Sequence, residues 1–296
     1  MNERKPLDGT AFAVMLVCTM LWGFQQVVIK ATGPDISFVM QAGIRSIIAT
    51  VLVSLWIFFR KIPLREKDGT LWPGIAAGLL FGGEFIFIYA GLAYTAASRM
   101  VVFIYLAPIL TALGLHLWVP GEKLKPLQWL GVFLAFAGIV FAFSSGFSNG
   151  QTQKTWLGDL FGIIGAVLWA ATTVLIRATP LARVSAAKTL YYQLFVSALM
   201  LPAASIAMGE KGVVAWTPLA VSSMAFQGVL VASASYLAWF WLLRRYLAGR
   251  LAVFSFLSPL FGVLSGVLVL QERLTPSFAA AALLVGSGIV LVNLRK

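Results

Sequence analysis

Apolar residues dominate ten stretches of the chain, at approximately 10–31, 36–60, 71–93, 98–119, 126–145, 157–177, 186–208, 217–243, 250–270 and 276–294. A helix rising 1.5 Å per residue needs about 20 such residues to cross a hydrocarbon core of about 30 Å. The breaks are short and rich in turn formers: Gly33-Pro34-Asp35, Pro120-Gly121, the stretch from Ser144 to Gly150, Gly209 and Pro276. A closed β-barrel, the other structure able to span a bilayer, is disfavoured by long runs without alternation. The pattern predicts an all-α membrane protein with ten transmembrane helices. The first run is too long for a signal-peptide core and lacks a cleavage pattern, so it is read as the first span.

Composition agrees with a lipid solvent. Hydrophobic residues make up 60% of the chain and charged ones 11%, against roughly 45–50% and about 25% in soluble domains. The net charge of +12 does not point to nucleic acid, because the basic residues lie in the breaks rather than on one face. One set of breaks holds Arg4, Lys5, Arg60, Lys61, Arg65, Lys67, Lys123, Lys125, Arg177, Arg183, Lys188, Arg244, Arg245, Arg250, Arg295 and Lys296; the other holds Lys30, Arg99, Lys154, Lys211 and Arg273. Cytoplasmic connections carry the excess of Lys and Arg, so both termini are expected in the cytoplasm of a multi-pass inner-membrane protein. Cys18 is the one cysteine and His116 the one histidine, which rules out an internal disulfide and argues against a metal site. No cofactor is expected.

The runs also repeat. Leu21-Trp22 followed by Ile29-Lys30-Ala31-Thr32 returns as Leu168-Trp169 followed by Ile176-Arg177-Ala178-Thr179. Arg99 to Phe103 with Pro108 returns as Arg250 to Phe254 with Pro259, and Gly121-Glu122-Lys123-Leu124 with Pro126 as Gln271-Glu272-Arg273-Leu274 with Pro276. The order is kept at a separation near 150 residues, giving halves 1–147 and 148–296. Each half holds five spans, an odd number, so the second half must enter the membrane from the opposite side. Inverted repeats of this kind are characteristic of secondary transporters, whose central site opens alternately to either face. A duplicated membrane scaffold with no transport role is the alternative.

At this point the chain resembles the drug/metabolite transporter superfamily, in particular the EamA family. The likeness is carried by Leu21-Trp22-Gly23, Arg45, the Gly91 to Ala97 stretch before the fourth span, Pro108, Gly121-Glu122-Lys123-Leu124, Gly131 and Gly138. A weaker echo follows in Pro259, Glu272-Arg273-Leu274, Gly286 and Gly288. Gln271 in place of a second Gly121 departs from the pattern, as does the Gln25-Gln26 pair. The resemblance implies a ten-helix, basket-like fold that exports small metabolites. The family includes exporters of amino acids, aromatic ones among them, and relatives that move sugars, nucleotide sugars or drugs.

Polar groups inside the spans mark the candidate pathway, because a charge at mid-bilayer costs at least about 2.5–3.5 kcal/mol. Arg45 and Glu84 each lie about nine residues from the outer ends of the second and third spans, roughly 13 Å deep. They can neutralise each other as a structural bridge, or flank a cavity and meet the carboxylate and ammonium of a zwitterion. Glu84 can also titrate and couple transport to protons. Ser37, Gln41 and Arg45 follow i, i+4 spacing and give the second span one polar stripe. Trp22 with Gln25 and Gln26 aligns with Trp169, Thr172 and Thr173, two aromatics flanked by hydrogen-bonding groups that suit either ligand orientation or interhelical bonding. Tyr105, one turn before Pro108, is a further candidate cavity aromatic. Pro108 and Pro259 are expected to kink equivalent spans and serve as hinges, or to be inert. Trp56, Trp72, Trp118, Trp129, Trp156 and Trp216 sit near span ends and read as the interfacial belt. Gly74, Gly78 and Gly82, Gly158 and Gly162, and Gly262 and Gly266 have the spacing of close helix contacts, and Glu122 and Glu272 read as end caps or partners of loop cations.

The expected function is secondary export of small metabolites, above all amino acids, by a protein that meets membrane lipid and a small-molecule substrate and can act as a monomer. An enzyme is disfavoured by the want of a nucleophile–base set, and ATP-driven transport by the want of a phosphate-binding glycine loop. Export of drugs, sugars or nucleotide sugars, or a passive channel on the same fold, are the alternatives.

Overall fold

A computed structural model describes residues 6–64, 66, 68–147, 154–270 and 276–294. The helices are α1 (Gly9–Thr32), α2 (Phe38–Phe59), α3 (Leu71–Leu92), α4 (Ala97–Ile104), α5 (Ala107–Trp118), α6 (Pro126–Ala142), α7 (Thr155–Ala178), α8 (Ala186–Ala207), α9 (Pro218–Ala225), α10 (Tyr236–Arg245), α11 (Ala248–Ala252), α12 (Leu257–Leu270) and α13 (Pro276–Asn293). A π-helical run, Phe226–Ser235, joins α9 to α10, and a 3-10 turn, Val253–Phe256, joins α11 to α12. Among the described residues, eight helical segments are long and apolar enough to cross a membrane, α4–α5, α9–α10 and α11–α12 each counting as one. Two apolar helices, Pro126–Ala142 and Phe278–Asn293, are shorter. The predicted runs and the observed segments agree to within a few residues.

Where the apolar runs break, the chain reverses, so successive segments alternate between two ends of the bundle. The ends are tied by polar contacts that backbone groups leaving a helix require. At the end carrying most of the basic residues, the Lys188 ammonium donates to Asp68 at 2.7 Å, the Tyr246 hydroxyl donates to Asp8 at 2.8 Å, and Arg177 pairs with Glu122. Asp68 lies in the loop between α2 and α3. Hydrogen bonds from Lys188, then from Thr70, hold its carboxyl down at about 2. At the opposite end Arg99 pairs with Asp159, which also accepts from Thr95 at 2.9 Å. The Glu210 carboxylate there accepts from the backbone N–H groups of Val39 and Met40, both at 3.2 Å, and so caps α2. Glu122 thus binds a cation, as expected, although the partner lies on a helix end; Gln271, Glu272 and Arg273 lie outside the described residues.

Inside the bundle, glycines set the closest approaches. A Cβ on Gly131 of α6 would stand 2.7 Å from the Gly288 carbonyl of α13, and one on Gly158 of α7 2.8 Å from the Gly91 carbonyl of α3. Gly74 and Gly78 of α3 receive Tyr192 and Val196 of α8 in the same way. Dispersion between such close surfaces replaces the hydrophobic drive that lipid does not supply. Among the segments, α1 packs on α12, α7 on α5 and on α3, α3 on α8, the π-helical run on α2, α2 on α8, and α6 on α13. Trp56, Trp72, Trp118, Trp156 and Trp216 are exposed near segment ends, where an indole can meet the interface. Trp129 is half-buried and stacks on Phe133 instead.

Candidate functional site

The site is organised around α2 and α3. Arg45, in the middle of α2, is only 2% exposed, and its guanidinium lies 4.4 Å from the ring centroid of Phe85 on α3. A cation over an aromatic face keeps part of its solvation in an apolar setting. Its Nη2 is buried without a hydrogen-bond partner, a condition that normally asks for a ligand, an ion or water. Glu84, beside Phe85 in sequence, is buried as well. Arg45 and Glu84 interact electrostatically, yet they do not form a contact ion pair among the described residues. The depth argument from the sequence therefore brings the two charges near each other, but the simple bridge does not close.

Aromatic rings fill the surroundings because α3 places Phe81, Phe85 and Tyr89 one turn apart on a single face. Phe81 meets Phe85 edge-on at 5.2 Å, and Phe85 stacks on Tyr89 at 6.3 Å. Phe38 of α2 closes over Tyr89 at 6.0 Å. Across the bundle, Tyr236 packs against Phe81 at 5.8 Å and Trp22 at 6.3 Å, and Trp239 against Trp22 at 5.9 Å. The Trp22 indole donates to the Ser235 hydroxyl at 2.8 Å. A second group lies around Tyr105, which sits between α4 and α5 and meets Trp169 at 5.9 Å and Phe256 at 6.1 Å.

The remaining predicted residues divide. Gln25 is buried on α1, whereas Gln26 is exposed; adjacent helical residues point about 100° apart, so the pair does not act together. Gln41 needs a different account from a ligand contact. Its amide donates to the Ile36 carbonyl at 2.8 Å and the Ile29 carbonyl at 3.2 Å, and accepts from Gln227 at 2.9 Å. With both ends used and no exposure, it clamps α1 and α2 to the π-helical run. Thr172 and Thr173 are buried on α7, and the Thr172 hydroxyl returns to its own helix at the Leu168 carbonyl, 2.8 Å away. Pro108 follows the break at Tyr105–Leu106, and Pro259 lies in the first turn after the 3-10 break. Both prolines thus stand where their spans lose α-helical continuity, as a residue without an N–H requires.

Sequence reasoning passed over Phe81, Phe85, Tyr89, Tyr236 and Trp239. The i, i+4 spacing of Phe81, Phe85 and Tyr89 around Glu84 was a readable signal. The π-helical run that delivers Ser235 and Tyr236 left none, because its composition is that of any apolar helix.

The chain matches the family model described as the EamA-like transporter family over residues 9–144 and 156–294. Among curated proteins, it is 28% identical to the "Uncharacterized transporter YvbV" of Bacillus subtilis (strain 168), covering 99% of this chain and 94% of that protein. It is 25% identical to the "Probable amino-acid metabolite efflux pump" of Escherichia coli (strain K12), covering 93% and 92%. A solved crystal structure superposes with a TM-score of 0.82 at 20% identity, covering 96% of each chain, so the fold is shared.

Proposed function

The chain belongs to the EamA-like transporter family, and from that premise we propose that it is a secondary transporter exporting small amphiphilic metabolites, amino acids above all, across the cytoplasmic membrane. The observation that carries the substrate class is the Arg45–Glu84 pair. A guanidinium and a carboxyl group are held inside the spans, near each other but not joined, and Arg45 keeps an unpartnered Nη2. Leaving buried charges unsatisfied is costly, so the arrangement suits a solute that brings one charge of each sign. The rings of Phe81, Phe85, Tyr89, Trp22 and Tyr236 supply apolar walls for its side chain. The efflux-pump name of the Escherichia coli relative agrees with this reading.

The architecture we propose is ten spans in two inverted halves, 1–147 and 148–296, arranged as a basket, with both termini cytoplasmic and a single chain sufficient for transport. The exchange of packing partners between the halves supports it, as does the concentration of basic residues at one end. Alternating access then follows from the two halves exchanging conformations around the Arg45 site, with the breaks before Pro108 and Pro259 as hinges.

Flux of labelled amino acids, one at a time, through purified protein in liposomes tests the proposal. Saturable flux of at least one amino acid is expected. Arg45→Ala should lower it about 10–100-fold, the loss of one charge-assisted contact of ~1.5–3 kcal/mol. Saturable flux that survives unchanged in folded Arg45→Ala would remove Arg45 from the site while leaving transport intact. No flux of any amino acid would overturn the substrate class.

A further inference from the structure

At the end opposite the basic residues, two loops are tied together by their backbones. Ile36, just before α2, and Val213, between α8 and α9, form an antiparallel bridge. The Ser37 N–H donates to the Gly212 carbonyl at 2.9 Å, and the Val214 and Ala215 N–H groups donate to the Asp35 carbonyl at 2.8 and 3.2 Å. The Thr217 hydroxyl adds a bond to the Asp35 carboxylate at 2.5 Å. Ile36 and Val213 are thus a non-hydrogen-bonded pair, the kind whose Cα atoms stand about 4.5 Å apart with side chains close.

Glu210 fastens this strap to the start of α2. Its carboxylate accepts from the Ser205 hydroxyl at 2.6 Å, the Ser37 hydroxyl at 3.0 Å and the Val39 and Met40 N–H groups at 3.2 Å. A helix leaves its first N–H groups without internal partners, and a serine before the helix usually accepts from one of them. α8 follows that rule, since Ser185 accepts from the Lys188 N–H at 3.1 Å. α2 also opens on a serine, yet Ser37 makes no such bond. Its hydroxyl is turned to Glu210 instead, and the cap comes from a residue 171 positions beyond Val39. If the loop carrying Glu210 moves away, Ser37 is free to cap α2 as Ser185 caps α8, and the carboxylate meets water. Either position of the loop leaves α2 capped, which is what a closure with two arrangements needs.

The strap stands over the route from Arg45. Phe38, next to Ser37, stacks on Tyr89 at 6.0 Å, and Tyr89 stacks on Phe85 at 6.3 Å. Phe85 in turn lies 4.4 Å from the Arg45 guanidinium. A solute leaving Arg45 toward this end passes that aromatic column and then meets the strap. We propose that residues 35–37 and 210–214 form a closure over one side of the site, latched by Glu210, that parts in every transport cycle. With the orientation proposed above, the closed side is the outer one. The inference rests on the transporter reading and adds the contact that shuts one route.

Two measurements on the full chain, both in a Cys18→Ser background, test it. Ile36→Cys together with Val213→Cys places two thiols within disulfide reach. In liposomes, oxidation should lower flux of the transported amino acid about tenfold or more, and dithiothreitol should restore it. Full flux through completely cross-linked protein overturns the inference, because a static brace never has to part. The second measurement needs no substrate. Val39 lies beneath the strap with no exposure, and Val39→Cys should react with a water-soluble maleimide several-fold faster once Glu210→Ala is added. The comparison is made in detergent, well below the unfolding temperature of both proteins; an equal rate overturns the inference. If the protein without the cysteine pair moves no amino acid, the amino-acid reading is what fails. In that case, or if the reduced pair alone stops flux, the labelling rate decides: faster reaction supports the closure and an equal rate overturns it.

Discussion

At the scale of single residues, the buried cations among the described residues fall into two kinds. Arg99, Arg177 and Lys188 each meet a carboxylate at an end of the bundle, where pairing offsets the cost of burial. Arg45 meets none, and that difference rather than its depth marks it as a candidate for binding. The end pairs have their own consequence for stability. The Asp68 carboxyl is held at about 2 against an ordinary 3.8, so its contribution is fully present above about pH 4 and is lost as the pH falls toward about 2. The site is partly solvated, which limits the contribution to about 1 kcal/mol. Thermal unfolding in detergent should therefore show a stability decrement between pH 4 and pH 2 that Asp68→Asn removes. An identical acid limb in the two proteins would show that Asp68 carries none of it.

At the scale of elements, the architecture depends on where helices are allowed to touch and where they are forced to break. The α6–α13 pair consists of the two shorter apolar helices and meets at Gly131 and Gly288, where any Cβ would collide with the opposing backbone. Gly288→Val should push the two helices apart and lower stability by roughly 1–3 kcal/mol, the usual cost of overpacking, read as a lower unfolding temperature in detergent. An unchanged unfolding temperature would mean that the pair can separate at no cost. The breaks before Pro108 and Pro259 lie at matched positions of the two halves, and both prolines stood out in the sequence because their residue type dictates the backbone around them. The π-helical run belongs to the same scale but was silent. Its hydrogen-bond register is chosen by the contacts of Gln227, Gly228 and Ser235 with α1 and α2, not by local preference.

At the scale of the whole molecule, the proposed orientation rests on the charge asymmetry between the two ends. Single cysteines replacing Lys61 and Lys211 in a Cys18→Ser background give opposite expectations in intact cells. Lys211→Cys should react with a membrane-impermeant maleimide, whereas Lys61→Cys should react only after permeabilisation; the reverse result would invert the proposed topology. What the sequence determined was everything that follows from solvent and from chain periodicity. The limits of the apolar segments and the exposed tryptophans at segment ends depend on the chain's own pattern in a lipid medium. Tertiary structure decided what depends on rotation about a helix axis and on partners distant in sequence. Gln41 was legible as a buried polar residue, but only packing shows that Gln227 and two backbone carbonyls already satisfy it. Gln25 and Gln26 are neighbours in sequence and face different surroundings in the fold. Arg45 and Glu84 could be placed at one level, yet only packing shows the Arg45 guanidinium over the Phe85 ring. Side-chain contacts across about 190 residues of chain have no local signature, because the free energy that selects them is released only when the helices pack.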